Sequence, residues 1–276
     1  MANDDTTDDL LYERTDSGVA WITLNRPQSG NALTPDQRNR IRDICQAANA
    51  DLFTRCIVIT SAGDRHFCTG ADLRVHRPGV DKPEGAPVRP TGEIARNIIA
   101  GAQQMIHAVL DCEKPVIAAV NGTAAGIGAH LALACDLIVA ADTAKFIEVF
   151  VRRGIIPDGG GAYLLTRVLG PMRAKELIFF GDDLPAARAA EMGLVNRVVP
   201  AASLRDEVSV WAERLAASPT VALTHAKWCV NRALDADRHQ AFGDEAIAQE
   251  VVLTSHDAQE GVDAYINRRE PDYKGW

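Results

Sequence analysis

Three short stretches of the chain, residues 56–60 (CIVIT), 115–120 (PVIAAV) and 137–141 (LIVAA), are apolar at almost every position. A strand with one face in water alternates polar and apolar residues, because successive side chains point to opposite faces. These stretches do not alternate. Each therefore needs cover on both faces, as in parallel sheets flanked by helices, which places the chain in the α/β class. Residues 19–24 (VAWITL) read as a further strand.

The helices have their own signals. Thr34-Pro35-Asp36-Gln37 is a helix start, with an N-cap, a proline at the first helical position and Gln at the capping-box position. Residues 93–111 predict one helix with Ile94, Ile98, Met105, Ile106 and Val109 facing inward. From Pro171 onward the pattern is mostly helical, near 171–180, 185–192, 201–217, 219–234, 238–255 and 257–268. The expected organisation is an acidic mobile tail over 1–9, an α/β core over 10–200 and a helical region over 201–276. Residues 77–92 are rich in proline and glycine and are expected to form a flap on the substrate side. No fixed-period repeat is visible.

Composition enters where it excludes functions. The formal net charge is −8, which argues against a nucleic-acid surface. No run approaches the ~18 apolar residues of a membrane-spanning helix, so membrane insertion is not expected. The start, MANDDTTDDL, has neither the basic nor the apolar segment of a secretory leader. Six cysteines are scattered without C-x-x-C or zinc-ligand spacing. Buried free thiols, a reducing cytoplasm and no metal site are the expectation.

Three glycine-containing turns follow strands or precede helices: 66–73 (HFCTGADL), 121–130 (NGTAAGIGAH) and 154–161 (GIIPDGGG). Glycines at such turns let backbone N–H groups approach a ligand. No phosphate loop and no G-x-S-x-G elbow is present.

On these turns, together with ITLNRP (22–27), KPVIAAVNG (114–122), LALACD (131–136), AADTAKF (140–146) and EMGLVNRVVP (191–200), the chain resembles the enoyl-CoA hydratase/isomerase (crotonase) superfamily over residues 10–276. The resemblance implies a spiral of β-β-α units, and C-terminal helices that build a homotrimer or hexamer. It implies an acyl-CoA substrate, with coenzyme A part of that substrate and no separate cofactor. The oxyanion hole falls on the backbone N–H groups of Ala71 and Ile127. The substrate and CoA side falls on Arg26, Ala71, Asp72, Leu73, Arg74 and Phe150, with Lys274 of the terminal PDYKGW segment reaching CoA in a neighbouring subunit.

The acid–base positions depart from the family pattern. Hydratases of this family use two glutamates around one water, and those positions are His130 and Phe150 here. Asp158 stands where many hydratases carry glycine, and relatives with aspartate there include isomerases. A lone carboxylate beside an enolate-stabilising hole can take a proton from one carbon and return it to another. The expectation is double-bond isomerisation with Asp158 as base and His130 as a shuttle or orienting group. The alternatives are a hydratase built on His130 and Asp158, with Glu148 as a further carboxylate if hydration is fast, and a non-catalytic acyl-CoA-binding protein.

Overall fold

The computed structural model describes residues 8–75 and 83–276. Its strands are β1 (Leu10–Arg14), β2 (Val19–Leu24), β3 (Cys56–Ser61), β4 (His66–Cys68), β5 (Val116–Val120), β6 (Thr123–Ala125), β7 (Leu137–Ala141), β8 (Lys145–Ile147), β9 (Leu184–Pro185) and β10 (Arg197–Val199). Its helices are α1 (Pro35–Ala50), α2 (Glu93–Ile98), α3 (Gln104–Leu110), α4 (Ile127–Ala134), α5 (Gly161–Phe180), α6 (Ala186–Glu191), α7 (Leu204–Ala216), α8 (Thr220–Ala233), α9 (Arg238–Val252) and α10 (His256–Asn267). No helix among the described residues is long and apolar enough to cross a membrane.

The strands form a large sheet, ordered β1-β2-β3-β5-β7-β10, and a small one, ordered β4-β6-β8-β9. Pairing from β2 through β10 is parallel, and β1 joins the edge antiparallel. The chain alternates between the sheets: β3 then β4, β5 then β6, β7 then β8, each pair leading to a helix. This is the expected spiral of β-β-α units. Every residue of β5 is buried, as its unbroken apolar run requires. Helix α7 lies on β2, β3, β5 and β7, with Val208 and Ala212 fully buried.

At α1 the capping box forms as expected. Thr34 Oγ1 accepts from Gln37 N–H at 3.2 Å, and Gln37 Oε1 accepts from Thr34 N–H at 3.0 Å. The helix expected over 93–111 is instead α2, a π turn over Ile99–Gln103, and α3. Met105, Ile106 and Val109 are buried, but Ile94 is 60% exposed. The extra residue in the π turn rotates the apolar face by about 100°, so one 3.6-residue stripe cannot run through both halves. Helix α5 begins ten residues before the predicted 171, and breaks at Gly170 (φ 76°, ψ 166°) ahead of Pro171. Strand β1 was not anticipated, since it buries only Leu10 and carries no periodic signal.

Of the expected 1–9 tail, residues 1–7 lie outside the described residues, as do 77–82 of the expected flap. Asp9 pairs with Arg26 at 3.3 Å. The opposite terminus is also tied down. Buried Asp257, at the start of α10, accepts the N–H groups of Lys274 and Gly275, each at 2.7 Å. Its own N–H donates to Trp276 O at 3.1 Å. Asp257→Ala leaves these donors without a charged acceptor, and should lower stability by about 1–3 kcal/mol. A urea titration should read this as a lower midpoint with an unchanged slope; an unchanged midpoint would mean the tail clasp contributes nothing.

Candidate functional site

Parallel pairing of β4 with β6 sets His66 beside Thr123 and Cys68 beside Ala124. The turns leaving these two strands therefore run side by side. Gly128 makes the approach possible, because a Cβ there would stand 2.2 Å from Cys68 O. The Cys68 thiol is sealed into this contact, and burial pushes its pKa up to about 12, so it is a packing group and not a nucleophile.

In the first turn, Leu33 N–H donates to Gly70 O at 2.8 Å and Asp72 N–H donates to Leu33 O at 3.0 Å. Leu33 thus bridges the residues on either side of Ala71. In a strand, neighbouring N–H groups point to opposite sides, so the Ala71 N–H faces away from Leu33. In the second turn, Gly126 (φ 54°, ψ −127°) reverses the chain and Ile127 opens α4. The N–H of a first helical residue has no acceptor within its helix. The first helical bond runs from His130 N–H to Gly126 O. Among the described residues, neither the Ala71 nor the Ile127 N–H has a hydrogen-bond acceptor.

Asp72 lies behind the first turn with its side chain buried. It accepts from Arg74 Nε at 3.0 Å, from Arg74 N–H at 3.1 Å and from Arg26 Nη1 at 3.0 Å. Arg74 above all, then Arg26, hold its carboxyl well below the usual carboxylate range against the cost of burial. A lowered carboxyl pKa stabilises the fold above the unfolded value, so this network is intact at neutral pH and weakens as acid protonates it. Arg26 also donates to Ala32 O at 2.9 Å. Leu73 and the Arg74 side chain are exposed.

The third turn carries Asp158, which is half-buried. Its backbone O accepts from Gln103 Nε2, in the π turn, at 3.0 Å. Its carboxylate has no hydrogen-bond or ion-pair partner among the described residues. Gly160, not Asp158, caps α5. His130, in the first turn of α4, is 0% exposed, and its Nε2 lies 3.1 Å from Glu148 Oε2. The His130 ring stacks on Phe150 at 5.2 Å and 13°. Two glycines of the third turn close over it: a Cβ on Gly159 would stand 2.9 Å from Nδ1, and one on Gly161 would stand 2.1 Å from Nε2. A Cβ on Gly159 would also meet Ile127 Cδ1 at 2.2 Å, so the Asp158 turn packs directly on the residue that opens α4.

The three turns thus converge with Ala71, Ile127, His130, Phe150 and Asp158 around them. Lys274 is elsewhere in the chain, hydrogen-bonded through its backbone to Asp257 and through Nζ to Asp272. Two residues gain weight from the fold: Gln103, which the sequence did not assign, and Glu148, which it named only as a further carboxylate for hydration. Gln103 acts through a backbone contact, which no motif announces. Glu148 left a trace, being a lone charge within the apolar stretch FIEVF; such a carboxylate needs a partner when buried. The free cysteines fit the expectation, with Cys45, Cys56, Cys68, Cys112 and Cys135 buried and Cys229 half-buried.

The model of the enoyl-CoA hydratase/isomerase family matches residues 14–276. The 1,2-epoxyphenylacetyl-CoA isomerase of Escherichia coli (strain K12) is 34% identical over 267 residues, 97% of this chain and 99% of the relative. The crotonyl-CoA hydratase of Syntrophomonas wolfei subsp. wolfei is 33% identical over 266 residues, 96% of this chain and 98% of the relative. The crystal structure of an enoyl-CoA hydratase from Bacillus anthracis matches with a TM-score of 0.87 at 33% identity, covering 97% of this chain and 100% of that one. An isomerase and a hydratase thus stand at nearly the same distance. With the fold and the match over almost its whole length in agreement, the chain belongs to the enoyl-CoA hydratase/isomerase family, whose members act on acyl-CoA thioesters.

Proposed function

We propose that the protein shifts a double bond in an acyl-CoA thioester, with Asp158 as the base and the Ala71 and Ile127 N–H groups as the oxyanion hole. The observation that carries this reading is the Asp158 carboxylate. It is half-buried, it caps no helix and it has no partner among the described residues, although its own backbone is held by Gln103. A carboxylate serving only the turn would be expected to bond to it.

The step is a proton transfer. Asp158 removes a proton from the carbon next to the thioester; the C–H electron pair forms a double bond to the carbonyl carbon, and the carbonyl π pair moves onto the oxygen. The two N–H groups stabilise that oxygen, and the first turn of α4 adds the positive end of its dipole. The enolate then collapses and takes the proton back from Asp158 at a second carbon, and the double bond moves. The Leu73–Arg74 side lines the CoA portion, behind which Arg26 and Asp72 hold the turn, and Phe150 forms pocket wall. CoA enters as part of the substrate, and no separate cofactor takes part.

Hydration has less support. Its water would need two groups to hold and split it, yet His130 is sealed from solvent and Phe150 has no acid–base chemistry. Turnover of a panel of enoyl-CoA thioesters tests this. We expect β,γ-enoyl thioesters to be isomerised and crotonyl-CoA to be hydrated slowly. Hydration with kcat above about 10³ s⁻¹, the top of the usual enzyme range, would overturn the ordering.

The assembly proposed is a homotrimer, alone or paired into a hexamer, with the C-terminal helices at the contacts. In its support, Val230 in α8, Phe242 and Ile247 in α9, and Tyr265 and Ile266 in α10 are exposed apolar side chains that a contact between copies would cover. In such an assembly Lys274 of one subunit reaches the CoA of the next. Light scattering at micromolar concentration should return at least a trimer mass; a monomer mass would contradict the proposal.

A further inference from the structure

We infer that Glu148 is a positioning residue for this reaction, acting through the His130 ring to set the place of the turn that carries Asp158. The inference rests on the reading of Asp158 as the base.

Glu148 follows β8, and β8 pairs with β6, whose chain turns directly into α4. This register sets Glu148 against the first turn of α4. It is only 5% exposed, and its one hydrogen-bond partner among the described residues is His130 Nε2 at 3.1 Å. Burying a carboxylate beside an imidazole costs desolvation of the polar groups, and apolar residues of similar shape are often as stable or more so. Stability alone is therefore a weak reason for it.

The geometry supplies a better one. A carboxylate is an acceptor only, so it holds the ring proton on Nε2 and leaves the lone pair on Nδ1. That Nδ1 is buried and has no partner among the described residues. The ring is thus gripped at one nitrogen and on one face, by Glu148 and by Phe150. The Asp158 turn lies against what remains. Gly159 and Gly161 have no side chains, and the ring occupies the space where Cβ atoms would be. Asp158 is the residue before Gly159, with its carbonyl held by Gln103. A tilt of the ring therefore moves the base, and misplacing a reacting group by about 1 Å can cost about 10²-fold in rate.

The test compares Glu148→Leu, Glu148→Gln and the double variant Glu148→Leu/His130→Phe. Three readouts are taken: kcat on the best β,γ-enoyl thioester, Kd for hexanoyl-CoA, and the ¹⁵N signals of the His130 ring. Glu148→Leu should lower kcat by about 10- to 10²-fold while Kd stays within about twofold. Glu148→Gln keeps an acceptor for Nε2–H and should recover most of the rate. The double variant exchanges the pair for apolar groups of similar shape, which proteins commonly tolerate, and it carries the test if the single variant does not fold. Its kcat should equal that of the single variant His130→Phe, measured alongside, because Glu148 acts only through the ring. The wild-type ring should carry its proton on Nε2 alone. An unchanged kcat in a folded double variant, or a ring protonated on Nδ1 alone, would overturn the inference. Failure of the underlying reading looks different: Asp158→Asn would then keep its rate. If the base is right and this inference wrong, Asp158→Asn is slow while the Glu148 variants are not.

Discussion

Asp158→Asn is expected to fold, to bind acyl-CoA, and to lose about 10²–10⁴-fold in turnover, the usual worth of general acid–base catalysis. The substitution keeps the size of the side chain and removes its basicity. The turn does not depend on the carboxylate for support, since Gln103 holds the Asp158 carbonyl and Gly160 caps α5. Loss of structure is therefore not the expected cause of any loss of rate. Exchange of the substrate's α-proton with deuterated solvent gives an independent reading, because it reports enolate formation without product. Both exchange and turnover should fall together. If neither changes on the best substrate, Asp158 is a turn residue and the mechanism is wrong.

Replacing Ile127 by proline is the second large effect, expected at about 10²–10³-fold in kcat, or about 2.7–4 kcal/mol for one lost oxyanion donor. The reason for choosing proline is local. Ile127 is the first residue of α4, where proline is well accommodated and the helix loses no internal hydrogen bond. The N–H that disappears is one with no acceptor among the described residues, so its removal bears on the ligand rather than on the helix. Ile127→Val is the control, since it keeps the N–H and alters the packing against Gly159. Near-equal rates for the proline and valine variants would defeat the assignment of this N–H to the oxyanion hole.

The parts of the fold that were legible are those set by neighbours in the chain. The capping box at Thr34 forms from residues within four positions of each other, so its chemistry is written locally. The apolar runs that became β3, β5 and β7 had to be covered on both faces whatever the rest of the chain did. The π turn over Ile99–Gln103 was not legible. Its sequence is as compatible with α-helix, and the turn is adopted in the packed molecule, where it brings Gln103 to Asp158. Nor did the β-β-α repeat show itself as a period. Its units begin at Cys56, Val116 and Leu137, and the long insertion after β4 hides the recurrence.

The sequence by itself determined the α/β class, the three glycine turns and, through the resemblance they carry, the family. It also singled out Asp158 as the candidate base, because chemistry of that kind depends on which residue stands at which step of a motif. Only the tertiary structure decided what surrounds those residues. Glu148 and His130 are eighteen positions apart, and their pairing follows from strand β8 lying beside β6. The glycines at 159 and 161 looked like turn residues; their neighbour is an aromatic ring from another helix, and it is the ring's volume that excludes a side chain there. Local preference can be read along a chain, but the space left to a residue is set by whatever the fold packs against it.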